Sequence, residues 1–264
     1  MKILTPIKLL APICMALYLG ACAGAASDST GNTGGQSNAG STATILPYGS
    51  VAYVLDNSIL KIIDLGTTPP EIRKAMPLNS PETLFISNDY LYIGGQNGVD
   101  IFNLEDPVNP VRASTYEHMR ACDPIIVEDD IGYITLRSGF GDRCRLVGPN
   151  RLEIVDMSNP ELPELISTFS MTNPYGLAKT DTHLAICEEA FGLTLLNVDD
   201  PLDVSKVVNY SEINCFDLIY SNSRLIATAS DGIYQFSATS QYLELLSRIP
   251  VGAVSDSTID NADL

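Results

Sequence analysis

The stretch Leu152-Glu153-Ile154-Val155-Asp156 decides the fold, because it recurs along the chain. Four other runs share its apolar character and its polar last residue: Leu60 to Asp64, Val99 to Asn103, Leu193 to Asn197 and Ile233 to Ser237. In chain order, the last residues of these five runs lie 39, 53, 41 and 40 positions apart. A period near 40 indicates a repeat protein with five units. The one long spacing reflects an insertion of about a dozen residues in the third unit, from Arg137 to Asn150.

Other short segments keep phase with this run. A β-branched and aromatic segment precedes it in each unit, as Val51 to Val54 and Tyr90 to Ile93 do. An Asp-Pro or Asn-Pro turn follows in three units, as at Asp106-Pro107, because Asp and Asn bond their own backbone and Pro fixes φ. Two further strands complete each unit. Four antiparallel strands in about 40 residues are typical of a propeller blade.

The sequence therefore predicts an all-β fold, a β-propeller of about five four-stranded blades over residues 44–251. Two roles remain open for Thr44 to Tyr48. The segment either supplies the innermost strand of the first blade or pairs with the last blade.

The repeated strand resembles the namesake motif of the LVIVD-repeat proteins, which are bacterial cell-surface or periplasmic proteins. Leu152-Glu153-Ile154-Val155-Asp156 and Leu60-Lys61-Ile62-Ile63-Asp64 carry the resemblance, which extends over about Tyr48 to Val251. The last unit departs from the motif, because Ser237 replaces the acid and the proline turn is missing. The resemblance implies a propeller architecture, and it implies no defined activity.

The N-terminus has the features of a lipoprotein signal peptide. Lys2 and Lys8 precede or flank an apolar run from Leu9 to Leu19, which is too short for a permanent membrane span. The run ends in Leu19-Gly20-Ala21-Cys22, which resembles the bacterial lipobox. We expect residues 1–21 to be cleaved and Cys22 to carry the lipid. The expected location is the outer membrane of the cell envelope, facing the periplasm or the cell surface.

Composition divides the rest of the chain. Residues 22–43 are rich in small polar residues and predict a flexible tether, and residues 252–264 read as an acidic tail. Loss of Lys2 and Lys8 with the signal takes the formal charge from −17 to −19. Such an acidic protein is a poor nucleic-acid binder. We expect a monomer with the membrane as one partner, through the lipid, and a protein or a glycan as the other.

Four cysteines remain after the signal and the anchor, and an even number suits an oxidising compartment. Three pairings are possible. Placement in the repeats favours Cys122 with Cys144 in one blade, and Cys187 with Cys215 in adjacent blades. The alternative, a zinc site of four thiolates, lacks the close paired spacing of such sites.

The repeat also predicts a candidate site at the channel mouth, which we define as the loops that enter innermost strands and those that follow second strands in blades 3 to 5. A carboxylate beside a guanidinium could bind a polar ligand there, or these groups could simply satisfy one another. A Ca²⁺ ion held by Asp123, Glu188 and Asp217 is a second possibility, although no resident cofactor is expected. The candidate residues are Asp123, Arg137, Asn173, Tyr175, Glu188 and Asp217.

Catalytic groups are few. His118 and His183 are the two histidines, and we expect His183 to be a solvated residue at a strand edge. No nucleophile elbow, phosphate loop or dinucleotide fingerprint occurs. Two function classes remain. We expect a non-enzymatic binding or scaffolding module, and the alternative is a propeller hydrolase or lyase that uses carboxylates and Arg137.

Overall fold

The computed structural model describes residues 40–119, 124–138, 148–239 and 241–251. These residues form twenty strands in five antiparallel sheets of four strands, each sheet in chain order. This confirms the predicted all-β propeller of five four-stranded blades. No helix in the described ranges is long and apolar enough to cross a membrane.

The five blades follow one another along the chain. Blade 1 contains β1 (Ile45–Tyr48), β2 (Val51–Asp56), β3 (Ile59–Asp64) and β4 (Glu71–Pro77). Blade 2 contains β5 (Pro81–Ser87), β6 (Tyr90–Gly95), β7 (Gly98–Asn103) and β8 (Val111–Glu117). Blade 3 contains β9 (Ile125–Glu128), β10 (Ile131–Leu136), β11 (Arg151–Asp156) and β12 (Glu164–Ser170). Blade 4 contains β13 (Leu177–Lys179), β14 (Leu184–Cys187), β15 (Leu193–Asn197) and β16 (Ser205–Tyr210). Blade 5 contains β17 (Cys215–Ser221), β18 (Arg224–Ala229), β19 (Gly232–Ser237) and β20 (Glu244–Pro250).

The first strand of the first blade settles the open role of Thr44 to Tyr48. β1 pairs with β2 in antiparallel register, with Tyr48 opposite Val51. The segment is therefore the innermost strand of blade 1, and the last blade is built entirely from its own four strands.

The turns between innermost and second strands explain the Asn and Asp residues found there. Asn88 and Asp89 both have positive φ, and so do Asn222 and Ser223. Two successive left-handed residues are required by the tight hairpin turn that matches the twist of β-strands. Asn and Asp tolerate this conformation better than most residues, so the turn chemistry sets the hairpin register.

The Asp-Pro and Asn-Pro turns lock neighbouring blades together. The Pro160 carbonyl in blade 3 accepts a hydrogen bond from Ser114 Oγ of blade 2, at 2.6 Å. The Pro201 carbonyl in blade 4 accepts one from Ser167 Oγ of blade 3. Each proline thus closes the turn of its own blade and presents an acceptor to the blade before it.

The core is made of the faces on which blades meet. One buried cluster joins blades 1 and 2, a second joins blades 2, 3 and 4, and a third joins blades 4 and 5. Tyr53 and Tyr92, on the second strands of blades 1 and 2, are among the largest fully buried side chains. Stacked faces of this kind fix the positions of the loops at both ends of every blade.

Candidate functional site

The structure brings several of the predicted site residues together at the channel mouth. Arg137 follows β10, and Tyr175 lies in the loop that enters β13. The Arg137 guanidinium carbon lies 4.0 Å from the centroid of the Tyr175 ring. A cation over an aromatic face is attracted by the ring quadrupole. This contact joins blade 3 to blade 4.

The carboxylate of Glu189 completes this arrangement. Glu189 Oε2 accepts hydrogen bonds from Asn173 Nδ2 at 2.9 Å and from the Tyr175 hydroxyl at 3.2 Å. Burial is the main cause of a raised pKa for Tyr175, so the phenol remains protonated and donates. Arg137, Tyr175, Asn173 and Glu189 are all half-buried. We call these four side chains the mouth cluster.

Glu188 has a different role from its neighbour. Its carboxylate is buried and accepts backbone hydrogen bonds from Thr172 at 2.7 Å and Asn173 at 3.3 Å. The other oxygen accepts from Thr194 Oγ1 at 2.7 Å. These bonds hold the loop that carries Tyr175 against the second and third strands of blade 4. Glu188 therefore positions the mouth cluster instead of facing the channel.

A disulfide supports the same loops. Cys187 and Cys215 are joined, with their Cα atoms 5.2 Å apart, which confirms this predicted pair. The Glu189 amide donates to the Cys215 carbonyl at 3.1 Å just beyond the bridge. The bridge ties the end of β14 to the start of β17, so it fixes Glu189 relative to blade 5.

Asp217 is occupied by a segment near the start of the described chain. Its carboxylate accepts from Thr42 Oγ1 at 2.6 Å and from Ser41 Oγ at 3.2 Å. Ser41 Oγ in turn accepts from the Leu177 amide at 2.8 Å. Burial raises the pKa of Asp217 above its usual value. Residues 40–43, which the sequence places at the end of the tether, thus bridge the innermost strands of blades 4 and 5.

The remaining predicted residues are placed as follows. Asp123, Cys122 and Cys144 lie outside the described residues, as does Cys22. His183 is buried, and burial lowers its pKa, so the expectation of a solvated edge residue is wrong. Its backbone carbonyl accepts hydrogen bonds from the Thr180 hydroxyl and amide, which close the turn between β13 and β14.

For Ca²⁺, two of the three proposed ligands lie in the described ranges. The carboxylate oxygens of Glu188 and Asp217 already accept hydrogen bonds from other groups of the chain. Within those ranges, no group of three or more His, Cys, Asp or Glu side chains could hold a metal ion.

Sequence reasoning missed three residues at the mouth. Glu189, not Glu188, contacts Tyr175. Phe216 packs edge-on against Tyr175, with ring centroids 6.0 Å apart. Phe191 is 52% exposed in the turn after β14. The sequence shows it only as an aromatic residue after the second strand of blade 4. Exposed large apolar side chains concentrate at interaction sites.

A cavity of about 520 Å³ lies further out on the same side, between blades 1 and 2. Its charged lining includes Arg112 and Asp100, which form a bidentate ion pair, and Thr115 donates to the same carboxylate at 2.9 Å. The pairing satisfies these groups, so the mouth cluster remains the stronger candidate site.

Comparison with protein families and solved structures agrees with this architecture. Residues 82–117 and 147–171 match the LVIVD repeat. These two stretches of the chain are similar to that repeat. The matched stretches cover most of blade 2 and the third and fourth strands of blade 3. No curated protein sequence gives a significant match.

Several solved structures share the fold. AztD from Citrobacter koseri is 13% identical with a TM-score of 0.53, over 75% of this chain and 58% of that chain. BamB from Moraxella catarrhalis is 12% identical with a TM-score of 0.52, over 78% and 63%. A hypothetical selenium-binding protein from Sulfolobus tokodaii is 13% identical with a TM-score of 0.57, over 77% and 59%. This chain therefore spans less than two thirds of the length of these proteins. Identity at this level establishes the fold alone.

Proposed function

We propose that the protein is a lipid-anchored, non-enzymatic binding module of the cell envelope, and that its channel mouth contacts a protein or glycan partner. The mouth cluster is the observation that supports this proposal. It combines a stacked guanidinium, a phenol, an amide and a carboxylate on one half-buried surface. Planar donors and acceptors beside an aromatic face suit the recognition of polar groups, such as sugar hydroxyls and peptide amides.

The rigidity of the surface also supports a binding role. The disulfide, the Glu188 bonds and the Arg137 stack hold the loops of three blades in one arrangement. A surface that is ordered before binding loses less conformational entropy when a partner docks. Loops presented by a rigid scaffold are a common location for binding residues.

The test is a thermal unfolding assay of the full chain, oxidised and in mild detergent, against a panel of oligosaccharides, small anions and Ca²⁺. A ligand at 100 times its Kd should stabilise the protein by about 2.7 kcal/mol. Arg137→Ala should abolish the shift. The matched control is Arg112→Ala, because Arg112 also stacks on an aromatic ring, Phe102, at 5.1 Å, in another blade.

The outcomes separate the alternatives. A shift that both variants retain would place binding elsewhere and overturn the assignment of the mouth. Hydrolysis or elimination of a bound oligosaccharide, lost in Arg137→Ala, would replace the binding module with the hydrolase or lyase alternative.

The lipid anchor has its own test. Cells that express the full chain are labelled with radioactive palmitate and fractionated. Wild-type protein and Cys14→Ala should carry label and sediment with membranes, whereas Cys22→Ala should do neither. Cys14 lies within the apolar run and supplies the matched control. Equal labelling of both variants would contradict lipidation at Cys22.

A further inference from the structure

The first blade has one sheet face that packs on no other blade. Leu46 and Ile62 of blade 1 lie in the core shared with blade 2. Successive strand residues point to opposite faces of a sheet, so the residues next to these two lie on the side away from blade 2. We call that side the leading face of blade 1. It carries one β-branched apolar residue from each strand: Ile45, Val54, Ile63 and Ile72.

The leading face of blade 1 is uncovered, whereas the same side of every other blade is covered. Ile45 is 62% exposed and Ile72 is 58% exposed. The strand register assigns a counterpart of Ile45 to each of the other four blades, and all four counterparts are buried. They are Leu84, Ile125, Leu177 and Leu218. Blade 1 thus has the apolar surface on which a preceding blade packs.

The last blade has the opposite half of such a junction. Leu225 and Phe236 of blade 5 pack in the core shared with blade 4, so the alternate residues lie on the side away from blade 4. We call that side the trailing face of blade 5. It carries one isoleucine from each strand: Ile219, Ile226, Ile233 and Ile249.

The trailing face of blade 5 is also uncovered. Ile233 is 38% exposed and Ile249 is 63% exposed. The residues at the position of Ile233 in the four earlier blades lie in the cores shared with the following blades, and they are fully buried. They are Leu60, Val99, Leu152 and Leu193. Blade 5 thus has the apolar surface on which a following blade packs.

These two faces are the two halves of one kind of interface. At each junction between blades, a trailing face packs on the leading face of the next blade. Among the described residues, no core cluster joins blade 5 to blade 1. Exposure of apolar sheet faces to water is unfavourable, and exposed apolar patches mark interaction sites. Each face therefore fits the other face on a second copy of the chain.

The area of the faces suits a stable dimer. A strand of six residues is about 20 Å long and four strands are about 19 Å wide, so one blade face covers about 380 Å². Two copies that stack blade 5 on blade 1 in both directions bury four such faces, or about 1,500 Å². Specific interfaces between proteins bury about 1,200–2,000 Å² in total. Contacts between two different faces can close into a ring of copies.

We propose that the protein forms a head-to-tail dimer, in which the trailing face of blade 5 in each copy packs on the leading face of blade 1 in the other. In this dimer both faces of each copy are covered. The proposal differs from the monomer expected from the sequence. It is independent of the proposed function, because neither face includes a residue of the mouth cluster.

The test is sedimentation velocity of the full chain in a density-matched detergent, with micelles in large excess over protein so that two lipid anchors do not share a micelle. The wild type should sediment as a dimer. Ile45→Arg and Ile249→Arg should each raise the dissociation constant of the dimer at least about a hundredfold, because each places an unpaired guanidinium in the apolar interface. Ile249→Leu keeps the apolar surface and should leave the dimer intact.

The matched control is Leu245→Arg. Leu245 lies on the same strand as Ile249 and is 54% exposed, but it pairs with Phe236 on the side of the sheet that faces blade 4. This variant should leave the dimer intact. Because Ile45, Ile249 and Leu245 are all exposed in the single chain, the arginine variants should keep the far-UV circular dichroism spectrum of the wild type.

Three results would overturn the proposal. The first is a wild type that sediments as a monomer at every concentration tested, which would leave the faces to other segments of the same chain or to another partner. The second is equal dissociation by Leu245→Arg and Ile249→Arg. The third is a dimer that Ile249→Arg dissociates and Ile45→Arg does not, because blade 5 would then pack on blade 5 of the second copy.

Discussion

Removal of the Cys187–Cys215 disulfide should destabilise the protein by an amount that the structure sets. The bridge closes a loop of 28 residues. In the chain-entropy description, a cross-link over a loop of that length stabilises the folded state by about 3.6 kcal/mol at 25 °C. Both cysteines are fully buried, so substitution also leaves small packing defects. Reduction of the native pair avoids those defects and isolates the effect of the cross-link.

The assay is urea unfolding at equilibrium, with and without reductant, in a background where Cys122 and Cys144 are both alanine. Reductant should lower the free energy of unfolding by about 3.6 kcal/mol in this background. It should have no effect when Cys187 and Cys215 are also alanine. An unchanged free energy of unfolding on reduction of the first protein would refute the bridge or its stabilising role.

Three further predictions concern single side chains. Burial raises the pKa of Glu128 from its ordinary value of 4.5 to about 7. Since the folded-state pKa is the higher one, the free energy of unfolding should fall as pH rises from about 4.5 to 7, and Glu128→Gln should flatten this dependence in unfolding curves measured across that range. Ser114→Ala and Ser167→Ala should each lower the free energy of unfolding by about 1 kcal/mol, because each leaves a proline carbonyl of the next blade without its hydrogen-bond donor. A change below about 0.3 kcal/mol in both variants would argue against a stabilising role of these bonds between blades. Glu188→Gln should lower the free energy of unfolding, measured in urea, by about 1–3 kcal/mol, because an amide nitrogen cannot accept the hydrogen bonds that the buried carboxylate accepts. The adjacent Glu189→Gln is the matched control and should lower it by less than about 1 kcal/mol. A larger loss for Glu189→Gln than for Glu188→Gln would contradict the assigned roles.

The repeat made most of the fold predictable. The spacing of strands such as Leu152 to Asp156 follows from a period that any four-stranded blade must satisfy, and Cys187 and Cys215 fall at the facing ends of adjacent blades. Bonds between distant segments follow no such period. The partners of Asp217, Ser41 and Thr42, lie more than 170 residues away in sequence. Their low-complexity surroundings give no sign of a fixed position.

Local backbone geometry limited the prediction of the mouth cluster. Glu188 and Glu189 are chemically identical neighbours, and the sequence could not tell which one would face Tyr175. Glu189 has a φ of 51° and bridges to Cys215, which turns its side chain toward the loop. His183 was misassigned because its position at a strand start is shared by exposed residues such as Arg224.

The most direct test of the central claim is photo-crosslinking in intact cells that express the full chain. A benzophenone amino acid replaces Phe191, which is exposed at the channel mouth, or Leu202, which is 74% exposed in the Pro201 turn of the same blade. If the partner binds at the channel mouth, position 191 should give a discrete adduct that Arg137→Ala abolishes, and position 202 should give none. Equal adducts from the two positions, or an adduct at 191 that persists in Arg137→Ala, would contradict the channel mouth as the binding surface.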